Sequence, residues 1–236
     1  MNKNFLQGWY YFTASAQIKK NKVYTFNYFD TSFVCYRDSK NSINVFDAYC
    51  PHLGAHLGVG GKIVNDLLVC PFHGWKYNAT GQCVEISYCK KIPKRAKLQS
   101  YPVQEMNSLV FVYLDREDVN AKAKLESRDI DLLSLKKFSI KDFLTTRMKN
   151  HELQKIIEKA KTLFSFKPIG SGIFIVKSKH NHISLFVTAT PVNSNEFSVS
   201  FSASIEKNFI NIFRSFFIRK KAKRRFEVLF NTAVES

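Results

Sequence analysis

The sequence predicts an α+β protein in two parts, an all-β domain over residues 1–117 and a domain of antiparallel sheet and helix over residues 118–236. Three observations support this division. Short runs rich in β-branched and aromatic residues recur through the first part. In the second part, residues 150–165 have the apolar spacing of an amphipathic helix, and residues 172–192 have the pattern of two strands joined by a tight turn.

The first part contains four runs that predict strands. They cover residues 23–29, 33–37, 43–46 and 109–114. Cys35 falls inside the second run, and we interpret it as a buried apolar residue.

The second part contains one clear helix prediction. Asn150 suits the N-cap position, and an apolar stripe follows it, made of Leu153, Ile156, Ile157, Ala160 and Leu163. His151 would lie in the first turn with no second histidine beside it, so we interpret it as a surface residue rather than a metal ligand.

The predicted hairpin over residues 172–192 carries two histidines, His180 and His182. Residues two apart on a strand share a face, so the pair could bind one metal ion. Because both fall near the predicted tip, we favour solvent-exposed turn residues.

The chain of 236 residues has a formal net charge of +17 and 45% hydrophobic content. Its first residues are too polar for a secretory signal and no apolar run approaches the ~20 residues of a membrane span, so we expect a cytoplasmic protein. The charge favours acidic proteins or anionic lipid, whereas no motif accompanies it that would indicate nucleic acid.

An aromatic run over residues 209–218 leads into a basic cluster at 219–225. Peripheral contact of residues 209–225 with an anionic membrane surface is one interpretation of this segment. The favoured interpretation is a helix packed on the sheet, whose basic end is solvated and suits the helix dipole.

The cysteines point to a metal site, since an odd number without a signal peptide argues against a disulfide scaffold. Cys50 and His52 form a C-x-H pair, and Cys70 and His73 form a C-x-x-H pair, with 17 residues between His52 and Cys70. Zinc sites usually take like ligands from one loop, whereas here each loop supplies one cysteine and one histidine. That pattern favours a [2Fe–2S] cluster with one thiolate-bound and one imidazole-bound iron, with Gly54 and Gly74 allowing tight turns.

These motifs resemble the Rieske family. The segments FDAYCPHLGAHLG and CPFHGWKYNATGQC, together with an early Gly-Trp-Tyr and a later YPVQEMN, are similar to the N-terminal domain of Rieske non-heme iron oxygenases over residues 5–117. The likeness implies that Cys50, His52, Cys70 and His73 hold the cluster. Cys83 and Cys89 are interpreted as structural thiols. For His56 we favour a plain loop histidine, with a hydrogen-bonding or electron-exit role as the alternative.

Two departures from the respiratory-chain Rieske proteins bear on the reduction potential. Where those proteins carry a disulfide and a serine, this chain has Ala55, Phe72 and Trp75. A lost hydroxyl donor makes reduction less favourable, so we expect a potential nearer about −150 than +300 mV.

Beyond residue 117 the resemblance is looser. Residues 190–201 and 208–231 are similar to a strand–turn–strand and to the closing helix of the oxygenase catalytic domain, which appears here in a shortened form. The family implies a mononuclear Fe(II) held by two histidines and a carboxylate. The family's ligand pattern is not found in residues 118–236, so the catalytic residues stay unassigned.

The resemblance implies an oxidoreductase that passes electrons from a ferredoxin or flavin reductase towards oxygen activation, with hydroxylation or desaturation of a small hydrophobic substrate. The loop sequence is most similar to the steroid- and sterol-acting branch, which suggests a ring-type substrate. The alternative is a ferredoxin-like carrier that donates electrons to a mononuclear iron on a partner oxygenase chain. A homo-oligomer is a further expectation from the family.

Overall fold

The computed structural model describes residues 7–114, 144–178 and 184–204. The chain divides into two compact units. The first comprises Met1–Gln7 and Phe12–Lys124, and the second comprises Gly8–Tyr11 and Leu125–Ser236. The predicted boundary between residues 117 and 118 lies outside the described residues and stays a prediction.

Eleven strands precede residue 115 in the described part of the chain. They are β1 (Gly8–Ala14), β2 (Tyr24–Tyr28), β3 (Thr31–Arg37), β4 (Ile43–Asp47), β5 (Lys62–Val64), β6 (Leu67–Val69), β7 (Lys76–Tyr77), β8 (Cys83–Glu85), β9 (Ser100–Tyr101), β10 (Val103–Met106) and β11 (Leu109–Leu114). They form sheets of order β2-β3-β4-β9, β5-β6-β7-β8 and β1-β11-β10. The four strand runs read from the sequence are therefore confirmed.

The β5-β6-β7-β8 sheet is a meander of short antiparallel hairpins. Asn65 and Asp66 form the two-residue turn between β5 and β6, and both have positive φ, as the favoured hairpin turns require. At the other end of β6, residues 70–75 connect to β7, with Val69 paired to Lys76. Because Val69 and Lys76 are paired, the first and last residues of the 70–75 connection lie close together.

The core of the first unit contains cysteine side chains from both predicted metal-binding motifs. Phe46, Leu57, Leu68 and Tyr77 are fully buried there, and they belong to one apolar cluster that also contains Cys50 and Cys70. Thiols set at the edge of a packed core are held in place by their neighbours.

The second unit is built on a five-stranded antiparallel sheet of order β12-β16-β15-β14-β13. Its elements are β12 (Leu144–Lys149), α1 (Asn150–Leu163), β13 (Phe164–Gly170), β14 (Ile173–Ser178), β15 (Ser184–Pro191) and β16 (Glu196–Ser204). The predicted hairpin is confirmed, because β14 pairs antiparallel with β15, although its tip and both histidines there lie outside the described residues. The α+β class is likewise confirmed.

The second unit also takes in the first residues of β1. The buried Thr190 hydroxyl donates a hydrogen bond to the carbonyl of Tyr11 at 2.6 Å. Trp9, Tyr10 and Tyr11 are themselves buried. One strand therefore supplies Gly8–Tyr11 to the second unit and Phe12–Ala14 to the first.

Helix α1 begins where the sequence predicts, but Asn150 is not its N-cap. The cap is Lys149, which has extended backbone, and the carboxylate of Glu152 accepts a hydrogen bond from the Lys149 N–H at 2.8 Å. A glutamate three residues into the helix can satisfy the cap N–H from a distance, so a poor cap residue is tolerated. No helix among residues 7–114, 144–178 and 184–204 combines the length and apolar character needed to cross a bilayer.

Arg37 joins three separate segments of the first unit. Its buried guanidinium donates to the carbonyls of Ile18 and Asn41 at 2.9 and 2.8 Å, and to the carboxylate of Glu105 at 2.9 Å. It also donates to the side chain of Ser15 at 2.8 Å. A planar fork with five N–H donors can serve this many acceptors, whereas a lysine cannot.

We expect Arg37→Met to lower the free energy of unfolding by about 2 kcal/mol, because the buried Ile18 carbonyl and several part-buried acceptors would lose their donor. Urea unfolding followed by circular dichroism measures the change. The matched control is Lys76→Met, which breaks a more exposed ion pair with Glu85 and should cost less than about 1 kcal/mol. Equal losses in the two variants would contradict the structural role assigned to Arg37.

Candidate metal centre

Two loops with the same backbone closure carry the predicted ligands. The first metal-binding loop, residues 50–57, follows β4, and the second, residues 70–75, joins β6 to β7. In the first, the Cys50 N–H donates to the Ala55 carbonyl at 2.9 Å; in the second, the Cys70 N–H donates to the Trp75 carbonyl at 2.9 Å. The loops therefore close in the same way despite their different Cys–His spacing.

A glycine completes each closure. The N–H of Gly54 donates to the Cys50 carbonyl at 2.9 Å, and the N–H of Gly74 donates to the Cys70 carbonyl at 3.2 Å. Their φ values are +73° and +67°, in the left-handed region that favours glycine. The tight turns predicted at these two glycines are confirmed.

All four predicted ligands line one cavity of about 480 Å³. The other residues around it are mostly apolar, and they are Leu53, Gly54, Ala55, His56, Val59 and Phe72. Cys50 and Cys70 are only 2% and 3% exposed, whereas His73 is exposed and His52 half-buried. The thiols thus occupy the core end of the cavity and the imidazoles its surface end.

The four side chains group into like pairs. Cys50 and Cys70 both lie in the buried apolar cluster, and Cys70 is near enough to add to the effect of burial in raising the pKa of Cys50. The ring centroids of His52 and His73 are 4.6 Å apart, with the rings at 77° to each other. Each loop therefore gives one ligand to a sulfur pair and one to a nitrogen pair, which suits a group that contains two metal ions.

The donor atoms fit a group larger than a single ion. Nδ1 of His52 is buried and has no hydrogen-bond partner among the described residues, so this nitrogen is free to bind a metal. Within the same residues, no group of three or more His, Cys, Asp or Glu side chains could hold one metal ion. A sulfur pair and a nitrogen pair around one cavity suit a cluster of two irons.

Tyr77 makes a contact with the site that the sequence analysis missed. Its hydroxyl lies 3.0 Å from Sγ of Cys50. Burial raises the pKa of Tyr77, so the hydroxyl keeps its proton and can donate it in a hydrogen bond to the Cys50 sulfur. Burial also raises the pKa of Cys50, while the Tyr77 hydrogen bond opposes this effect. Side chains alternate between the two faces of a strand, so Tyr77, two residues after Trp75, shares its face. This pattern could have identified Tyr77 as inward-facing from the sequence.

Trp75 fixes the ring of His52. The two rings stack with centroids 4.5 Å apart and planes at 14°. The indole N–H of Trp75 donates to the hydroxyl of Tyr88 at 2.7 Å. The residue that stands where respiratory Rieske proteins carry a serine therefore packs against a predicted ligand instead of donating a hydroxyl.

His56 lines the same cavity, but both of its nitrogens are already used. The Gly58 N–H donates to Nδ1 at 3.1 Å, so Nε2 carries the proton and donates to the Ser32 hydroxyl at 2.9 Å. This supports the interpretation of His56 as a structural histidine.

The other predicted residues lie away from the site or outside the described residues. Cys35 is buried as predicted, and burial raises its thiol pKa to about 12. Cys83 is buried and Cys89 exposed, and neither lines the cavity. His151 is exposed in the first turn of α1, whereas His180, His182 and residues 209–225 lie outside the described residues.

The sequence of this chain resembles a known domain family and several curated proteins. A family profile for the Rieske [2Fe-2S] domain matches residues 8–102. Cholesterol 7-desaturase nvd 1 of Ciona intestinalis is 37% identical over 137 residues, which cover 58% of this chain and 29% of the relative. The oxygenase component of 3-ketosteroid-9-alpha-monooxygenase of Rhodococcus rhodochrous is 34% identical over 111 residues, covering 47% of this chain and 28% of the relative. The chain thus spans under a third of the length of these relatives.

Solved structures show the same fold at lower identity. The oxygenase in complex with ferredoxin of carbazole 1,9a-dioxygenase matches with a TM-score of 0.70 and 17% identity, covering 97% of this chain and 79% of that chain. Apo dicamba monooxygenase matches with a TM-score of 0.66 and 15% identity, covering 97% and 86%. Residues 8–102 thus match the Rieske [2Fe-2S] domain family, and the chain shares its fold with these solved oxygenases.

Proposed function

We propose that Cys50, His52, Cys70 and His73 hold a [2Fe–2S] cluster, and that the first unit is a one-electron transfer domain. The observation that carries this proposal is the grouping of the four side chains around one cavity into a sulfur pair and a nitrogen pair. A cluster with this ligand set supplies a one-electron couple whose imidazole-bound iron is the reducible one.

The protein's own residues set how easily the site takes an electron. Tyr77 donates a hydrogen bond towards the Cys50 sulfur and thereby stabilises the more negative, reduced state. Respiratory-chain Rieske proteins have a serine at the position of Trp75, and its hydroxyl also favours reduction. Because this chain lacks that serine, we expect a lower reduction potential than in the respiratory proteins. The packed core around the thiols excludes water from this end of the cavity.

Electron exchange would take place at the surface end of the cavity. His73 is exposed and touches His52, which Trp75 holds in a fixed orientation. Rigid ligands change little between oxidation states, so less reorganisation accompanies electron transfer. The exposed imidazole of His73 also offers a proton-bearing edge to a docked partner.

We further propose that the electrons serve the oxidation of a hydrophobic, ring-type substrate. Support comes from the sterol and steroid substrates in the names of the curated relatives, cholesterol 7-desaturase and 3-ketosteroid-9-alpha-monooxygenase. A ferredoxin or flavin reductase would be the electron source. In this proposal the second unit, or a segment beyond it in a longer protein, holds the mononuclear iron.

A ferredoxin-like carrier is the second candidate, with the mononuclear iron on a partner chain. What favours it is that no ligand set for a single iron occurs among the described residues. Cytoplasmic location, membrane contact through residues 209–225 and assembly into homo-oligomers stay predictions.

The experiment that tests the function is iron and sulfide analysis of purified, reconstituted protein, combined with electron paramagnetic resonance. We expect about two irons and two acid-labile sulfides per chain, and a reduced-state signal typical of mixed Cys/His ligation. A third iron, outside the cluster, would support the oxygenase, whereas its absence would support the carrier. One zinc per chain without labile sulfide would overturn the proposal.

Replacing Tyr77 with phenylalanine should lower the reduction potential of the cluster. A hydrogen bond that is stronger in the reduced state by about 1 kcal/mol corresponds to about 40 mV for one electron. Protein-film voltammetry measures the shift. Tyr36→Phe is the matched control, because Tyr36 is buried in the same apolar cluster but donates to the carbonyl of Asp66. A potential that falls equally in both variants would count against the Tyr77 contact.

A further inference from the structure

Aromatic contacts hold the ring of His52. Its imidazole stacks on the indole of Trp75, with centroids 4.5 Å apart and planes at 14°, and it meets the ring of His73 edge-on at 4.6 Å. A metal-binding histidine is usually oriented by a hydrogen bond to its second ring nitrogen. For His52 the stacked indole supplies a constraint of another kind, because it covers the face of the imidazole.

Trp75 also ties the two metal-binding loops together. Its backbone carbonyl accepts the hydrogen bond from the Cys70 N–H that closes the second loop. Its side chain stacks on His52, which belongs to the first loop. A shift of the indole therefore moves the ring of His52 relative to the loop that carries Cys70 and His73.

A third segment, which follows β8, fixes the indole itself. The indole N–H can only donate, and it donates to the hydroxyl oxygen of Tyr88 at 2.7 Å. Tyr88 comes two residues after the buried Ile86, whose carbonyl accepts a hydrogen bond from the Cys89 N–H at 3.2 Å. The buried isoleucine and this turn hold the backbone of Tyr88 in place, although its side chain is 60% exposed.

We propose that Tyr88 is a positioning residue for the candidate metal centre, where it sets the orientation of the His52 ring through Trp75. The inference rests on the proposed cluster and adds to it a residue outside both metal-binding loops. Stacking alone allows a range of offset arrangements, because aromatic pairs have no single preferred overlap. The hydrogen bond to Tyr88 selects one of them by fixing the plane of the indole.

Two properties of the site depend on this orientation. A ring that cannot turn out of position keeps its nitrogen on the metal, so the cluster is released more slowly. A ring with one orientation also gives the imidazole-bound iron one electronic environment. Loss of the Tyr88 oxygen should therefore change both the retention of the cluster and the spectrum of its reduced state.

The first test compares two tyrosine-to-phenylalanine variants of the full chain, each loaded with the cluster. Y88F removes the oxygen that accepts from Trp75 and keeps the ring. Y49F is the matched control, because Tyr49 is 55% exposed and its edge-on ring contact with His56 does not depend on the hydroxyl.

Iron release from the dithionite-reduced protein to the chelator bathophenanthroline disulfonate is followed by absorbance. We expect release to be about tenfold faster in Y88F than in the native protein, and changed by less than about twofold in Y49F. Release from Y88F at the rate of the control would overturn the positioning role.

A double variant tests the route through Trp75. W75F keeps an aromatic ring beside His52 but has no N–H to donate, so it should also release iron at least about tenfold faster. If Tyr88 acts through Trp75, adding Y88F to W75F changes the rate by less than about twofold. Effects that multiply in W75F/Y88F would overturn this route.

Electron paramagnetic resonance of the reduced protein separates positioning from general support of the fold. We expect shifted or broadened g-values in Y88F and the native spectrum in Y49F. A native spectrum in Y88F would overturn the positioning role alone, even with faster iron release. Absence of labile sulfide and of any reducible centre from the native protein would overturn the proposed function and the positioning role together.

Discussion

Each metal-binding loop depends on one backbone hydrogen bond, which a left-handed glycine donates to the carbonyl of the loop's own cysteine. Gly54 and Gly74 close the two loops in this way. A residue with a Cβ atom in that conformation would cost roughly 1–2 kcal/mol. Because both loops close identically, a C-x-H and a C-x-x-H motif present their side chains to one shared cavity. The pairing of like ligands follows from this repeated closure.

The site is asymmetric between its two ends, and the asymmetry follows from where the loops join the core. Cys50 and Cys70 are buried within the apolar cluster, so their sulfurs lie on the core side of the cavity. The imidazoles extend towards solvent and touch each other there. Tyr77 is the polar group that reaches the buried end, and it does so from β7, which the second loop itself leads into. Core packing and electronic tuning of the site are thus encoded in the same short hairpin.

Much of this could be predicted from the sequence, because the relevant signals are local. The ligand spacing, the two glycines and the strand runs all act over a few residues. The Tyr77 and Tyr88 contacts were not predicted, because they depend on which side chains meet across loops that are distant in sequence. The cap of α1 was assigned one residue late, since Asn150 is a better cap residue than Lys149 but Glu152 reaches back to the lysine N–H. In that case a side chain three residues away outweighed the local preference.

Because β1 is divided between the two units, the units do not correspond to two consecutive fragments of the chain. Gly8–Tyr11 belongs to the second unit, where Thr190 binds the Tyr11 carbonyl, while Phe12 begins the main part of the first. No single cut in the chain separates the two units cleanly. A fragment that begins after residue 102 would lack Tyr11, whose carbonyl accepts the hydrogen bond from Thr190. A fragment that ends at residue 102 would keep Trp9, Tyr10 and Tyr11 but would lack the rest of the unit to which they belong. Folding of the five-stranded sheet must therefore recruit a strand segment that lies 179 residues earlier in the chain, as the hydrogen bond between Thr190 and Tyr11 shows.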